Sequence, residues 1–125
     1  MIHHVSLGTN DLRRARAFYD AVLGVVGLRL LKHDEESLDY GIGDILFSLE
    51  TPVDGAPATP GNGVHICFAA RDRAMVQQFH AVALAHGGTD AGAPGVRPKY
   101  DAHYYGAFVC DPDGNKIEAV THSSR

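Results

Sequence analysis

At 125 residues with a net charge of -4, the chain is one domain of ordinary size without the electrostatic footprint of a nucleic-acid binder. Hydrophobic residues make up 45% and charged residues 21%, a globular rather than a disordered composition. Its apolar runs fall far short of the roughly 18–20 residues that span a membrane, and nothing in it resembles a cleavable signal.

Alternation in "IHHVSL" predicts a first strand with Val5 and Leu7 on one face and His4 and Ser6 on the other. On that pattern His3 points away from His4, to the surface or a subunit contact. A helix follows over "NDLRRARAFYDAVLG", where Leu12, Ala15, Phe18 and Val22 step at three and four. Asn10 or Asp11 can cap its start and Gly24 can end it. Three strands come next, at "VGLRLLKH", "SLDYGI" and "DILFSLE". The proline-rich "TPVDGAPATPGNG" is the connector, dividing the chain into a first module at 1–51, a linker at 52–62 and a second module at 63–125. Beyond it lie a strand at "VHICFA" and a helix at "RDRAMVQQFHAVALAHGG", ended by paired glycines. "AGAPGVRPKYDAH" reads as a long loop, and "YYGAFVCDPDGNKIEAVTH" as a closing hairpin.

The two halves agree when the first is moved forward by 61 positions. His4 falls on His65, Asp11 on Asp72, Phe18 on Phe79, Leu23 on Leu84 and Gly27 on Gly88, while Val5 and Leu7 fall on Ile66 and Phe68. Any two amphipathic helices share a period, but a histidine at the same place on each leading strand is more specific. The expected fold is α+β: paired βαβββ modules forming a cupped, mostly antiparallel sheet with helices on the outer face. Val5, Leu7, Ile66 and Phe68 pack toward the helices, whereas His4, Ser6, His65 and Cys67 line the hollow.

Chemistry enters with the closing hairpin. Asp111-Pro112-Asp113-Gly114 is a strong turn, after which Ile117 and Ala119 share one face and Lys116, Glu118 and Val120 the other. With Ile117 and Ala119 under the second helix, Glu118 points into the hollow with His4 and His65. Two histidines and a carboxylate hold a divalent metal on one side and leave positions open for substrate or dioxygen. His103, Tyr104 and Tyr105 form a tight group before the hairpin strand; His103 and Tyr105, with Glu118, are the candidate catalytic groups. Cys67 shares parity with His65, and Arg97 and Lys99 are candidate contacts for an anionic substrate. Two cysteines (Cys67 and Cys110) without a C-x-x-C motif or framework suit reduced thiols in the cytoplasm, and eight histidines, most of them expected at the surface, justify the search for a site.

His4 with "DL…AFYDAVLG", the "GVHICF" strand and the terminal "DPDGNKIEAV" together resemble the vicinal oxygen chelate superfamily. That group includes glyoxalase I, extradiol dioxygenases, and bleomycin- and fosfomycin-resistance proteins, and the resemblance covers nearly the whole chain. It implies metal ligands on the first and last strands of each module, here His4, His65 and Glu118, plus one residue in "DILFSLET". That fourth position, a Glu or Gln in metal-bearing glyoxalases, falls on Ser48; Glu50 has the same parity but sits about 6–7 Å further along. A three-ligand site is therefore expected, holding Fe, Zn, Ni, Co or Mn. A facial triad leans toward Fe(II) and oxygenase chemistry, whereas lyases and isomerases accept the other metals.

The resemblance also implies a homodimer acting on a small oxygenated substrate, with each site either within one chain or shared between two. The expected protein is thus a metal-dependent lyase, isomerase or dioxygenase. The alternative is a metal-free protein that sequesters a drug or metabolite in the same cup.

Overall fold

In the computed structural model, which describes residues 1–125, two runs of strand, helix and three strands follow one another. The first comprises β1 (Val5–Gly8), α1 (Leu12–Val25), β2 (Arg29–His33), β3 (Ser37–Gly41) and β4 (Ile45–Glu50). The second comprises β5 (His65–Ala69), α2 (Arg73–Ala85), β6 (Thr89–Val96), β7 (Tyr105–Cys110) and β8 (Lys116–Thr121). Each run makes its own four-stranded sheet, in the orders β1-β4-β3-β2 and β5-β8-β7-β6. In both, the leading strand runs parallel to the last strand and the other pairings are antiparallel.

The helices begin alike. Asp11 and Asp72 accept hydrogen bonds from the backbone N–H of Arg14 and Met75, so each caps its own first turn. They end alike too: α2 stops at the paired glycines, as the sequence points, whereas α1 runs past Gly24. Gly24 lies inside α1; the stop comes at Gly27, whose φ of 88° is left-handed, and α2 stops at Gly87 with φ 98°. One interior glycine costs a helix only about 1 kcal/mol, so it does not end one that closes three residues later. Because α2 is shorter by one residue, the repeat slips by one at the helix ends, and Gly87 rather than Gly88 is the counterpart of Gly27. Leu23 is buried while Leu84 is exposed, a second break in that pairing.

The facing of the strands follows the alternation. Leu38, Tyr40, Phe47 and Leu49 of the first sheet join Phe68, Ala107, Val109, Ile117 and Ala119 of the second in one core. Ala15, Phe18 and Val22 of α1 match Val76, Phe79 and Ala83 of α2, all buried. The helices also pack against each other, and Phe47 meets Phe68 edge-on at 5.2 Å. The two modules therefore share a core on the helix side and leave the opposite sheet faces open.

Two features differ from expectation. The segment read as a long loop forms β6 as far as Val96. Its glycines, alanines and Pro94 have low strand propensity, and it holds an edge position with two register shifts, which is where such residues are tolerated. The "DPDGN" turn is also more than a turn. Asp111 accepts from the Tyr19 hydroxyl at 2.6 Å and from Asn115, Asn115 donates to the Gly8 carbonyl, and Asp113 accepts from Thr9, Asn10 and Arg14. It ties the second module to the start of α1.

Candidate active site

Glu118 sits on the open face of β8, paired with Cys67 of β5 on one side and Phe108 of β7 on the other. It is only 1% exposed, so its carboxylate requires partners. Oε1 lies 3.1 Å from His65 Nε2, and Oε2 accepts a hydrogen bond from the Tyr104 hydroxyl at 2.6 Å. Gly106, on the neighbouring strand, makes this fit: a Cβ there would lie 2.9 Å from Oε2 and 3.3 Å from the Tyr104 ring. Tyr100 and His122 meet the Tyr104 ring edge-on at 5.1 and 5.4 Å.

Electrostatics fix the protons on this face. Desolvation, then the hydrogen bond to Glu118 and its charge, raise the Tyr104 hydroxyl above the usual tyrosine range. It remains a donor at neutral pH. Cys67 is exposed as a residue, yet its thiol is shielded beside Glu118; desolvation and then the carboxylate push it up to about 12. It is a neutral thiol rather than a nucleophile.

The first module shows what occupies the equivalent place. Ser6 pairs with Ser48 as Cys67 pairs with Glu118, so Ser48 stands where Glu118 stands. Its buried hydroxyl donates to Asp39 at 2.7 Å. Glu50 lies further along, beside Gly8, exposed, with Ser6 donating to it at 3.5 Å.

The sequence-derived residues divide accordingly. His65 and Glu118 come together; His4 does not join them within the chain, where no three such donors converge. His4 precedes β1, is exposed, and lines an apolar groove of about 380 Å³ bounded by Val5, Leu28, Phe47, Ile66 and Cys67. The expected opposition of His3 and His4 is absent: strand alternation starts only at Val5, and the two rings meet with their Nδ1 atoms 2.9 Å apart. His3 also reaches Asp44 at 3.0 Å.

Tyr105 turns to the other side of its sheet, where Gln77 of α2 donates to its hydroxyl and Arg73 lies over its ring. His103 is exposed, its backbone N–H bound to Asp101. The side chain that this segment brings to Glu118 is that of Tyr104. Parity held the clue: with Ala107 and Val109 in the core, Tyr104, Gly106 and Phe108 fall on the Glu118 side.

A second hollow, of about 610 Å³, is bounded by His65, Tyr104, Glu118, Arg97, Phe108 and Lys116. Arg97 reaches it as expected, whereas Lys99 lies over the Tyr100 ring at 5.2 Å and is not part of its wall.

Paired βαβββ modules with an open face of this kind define a glyoxalase-like protein. The sequence matches the family model described as the Glyoxalase/Bleomycin resistance protein/Dioxygenase superfamily over residues 1–119, and the chain belongs to that family. It is similar to a glyoxalase/bleomycin resistance protein from Albidiferax ferrireducens T118, with 40% identity, TM-score 0.90, and 96% of this chain and 98% of that one covered. A lactoylglutathione lyase from Agrobacterium tumefaciens is 25% identical with TM-score 0.67, covering 96% and 92%. A glyoxalase-related enzyme from Fulvimarina pelagi, 20% identical with TM-score 0.76 and covering 96% and 86%, shares the fold. No curated protein matches the sequence.

Proposed function

We propose that the chain is a metal-dependent enzyme of the vicinal oxygen chelate type, acting as a lyase, isomerase or dioxygenase on a small oxygenated substrate. The observation that carries this reading is the buried Glu118 carboxylate, held between His65 and Tyr104 on the open face. An imidazole nitrogen and a carboxylate oxygen 3.1 Å apart are a donor pair that suits Fe, Zn, Ni, Co or Mn, and a divalent cation would displace the proton they share. When bound, that cation supplies Lewis acidity toward two neighbouring oxygens of the substrate.

His65 and Glu118 are the ligands from one copy, and His4 of a second copy is the third. Support for two copies comes from the open sheet faces, the separation of His4 from Glu118, and the apolar rim of Ile2, Ile42 and Leu46, exposed at 78%, 62% and 46%. Tyr104 orients the carboxylate through its 2.6 Å hydrogen bond and keeps a proton available beside the substrate. Phe108 provides an apolar floor. Both cysteines are free thiols, in keeping with a cytoplasmic setting.

Ser48, where the first module has no carboxylate, favours the second reading: a metal-free protein that sequesters a small molecule. Elemental analysis of protein made without a histidine tag separates the two. After reconstitution with Fe(II), Mn(II), Zn(II), Co(II) or Ni(II), about one equivalent per chain is expected for one of them. Less than about a tenth of an equivalent of every metal would overturn the metal-dependent reading and leave the sequestering one.

A further inference from the structure

The hollow beside His65 and Glu118 carries two cations that nothing in the chain neutralises. None of the ion pairs includes Arg97 or Lys116. The one carboxylate in the wall, Glu118, is already engaged by His65 and Tyr104. Arg97 is fixed in place: its two terminal nitrogens donate to the carbonyls of Gly95 at 2.9 Å and Ala93 at 2.7 Å. Those neutral acceptors set the plane of the guanidinium without cancelling its charge, and three of its five N–H groups stay free.

Both cations lie against one aromatic ring. The guanidinium carbon is 5.8 Å from the centre of Phe108, and Lys116 Nζ is 4.7 Å from it. Gly92, which pairs with Phe108, keeps this arrangement tight; a Cβ there would lie 3.0 Å from the ring and 3.3 Å from Arg97. The strand register then links the cations to the reacting pair. Lys116 stands opposite His65, and Phe108 stands opposite Glu118.

We propose that this hollow selects a small carboxylate-bearing substrate, its carboxylate held by Arg97 and Lys116 and its apolar body resting on Phe108. A guanidinium and an ammonium without counter-charges of their own can each contact one carboxylate through charge-assisted hydrogen bonds. Tyr100 completes the wall and suits a flat or apolar body. The inference rests on reading the His65–Glu118 pair as the reacting pair, and it names the substrate class for that site.

The test uses isotope-labelled protein stripped of metal with EDTA and then exchanged into buffer free of it, so it does not depend on any metal. Mandelate and its uncharged analogue mandelamide are titrated while the backbone amides of Gly92, Gly106 and Phe108 are followed by NMR. Mandelate should give saturable shifts and bind about tenfold more tightly than mandelamide, as expected for charge-assisted contacts. Arg97→Gln and Lys116→Gln should each weaken mandelate and leave mandelamide unchanged, and added salt should do the same. Equal affinity for acid and amide, a preference that survives in the double variant, or no saturable shift with mandelate would overturn the inference. Displacement of mandelate by an equal concentration of inorganic phosphate would also overturn it, assigning the cations to a phosphate. If mandelate is preferred but no metal is retained, the metal-dependent function fails and this recognition stands.

Discussion

Glu118 is a buried carboxylate with one hydrogen-bonding partner for each oxygen. Tyr104 is the partner whose removal is most informative, because the change deletes one hydroxyl and leaves the ring packed on Tyr100 and His122. Groups that orient a metal ligand in this way typically contribute about 10–100-fold to metal affinity. Tyr104→Phe should therefore weaken metal binding by about that factor, measured by competition with a chelator, and by leaving the buried Oε2 without its donor it should also lower the stability of the metal-free protein by about 1–3 kcal/mol. His65 was legible in the sequence from strand parity and the 61-residue repeat, and Glu118 from the parity of the closing hairpin alone. Tyr104 was legible only as one of a group, since the tyrosine next to it, Tyr105, differs from it by nothing except which face the strand turns outward.

At the scale of elements, patterning served wherever a segment was regular. Both helices, the leading strand of each repeated unit and the closing hairpin all rest on side chains that alternate or step in a clear period. β6 escaped because an edge strand of glycine, alanine and proline has no apolar alternation to read. The role of "DPDGN" escaped because its partners lie about a hundred residues away in sequence, in "GTND" and on α1. That junction titrates. Desolvation first, and then the Asp111 charge and hydrogen bond, raise the Tyr19 hydroxyl well above its ordinary 10.0; burial and Asp20 raise Tyr40 as well. A raised folded pKa means that the stabilisation is complete below the unfolded value of about 10 and is lost as pH climbs through the folded one. Native protein should thus show tyrosine ionisation that is delayed beyond pH 10 and coincides with unfolding, followed by absorbance and circular dichroism together. In Tyr19→Phe that delay should shrink, and the loss of a partner from buried Asp111 should lower stability by about 1–3 kcal/mol.

For the whole molecule, the two modules turn their helix faces inward to one core and leave two open sheet faces with unlike contents. One bears His65, Glu118 and Tyr104; the other bears Ser6, Ser48 and Asp39, with His4 at its approach. Within one chain these contents stay apart, and no periodicity in the sequence could reveal that, because the 61-residue repeat relates the modules without placing them. The central claim is that His65 and Glu118 of one copy share a metal with His4 of another. Its most direct measurement is Co(II) absorption of a mixed dimer, made by co-expressing a His4→Ala chain and a Glu118→Ala chain with different tags free of histidine. Each variant alone should lack the visible bands of protein-bound Co(II). The mixed dimer should regain them, because one of its two faces then combines an intact His4 with an intact Glu118. Bands that persist in Glu118→Ala alone, or a mixed dimer without bands, would contradict the account.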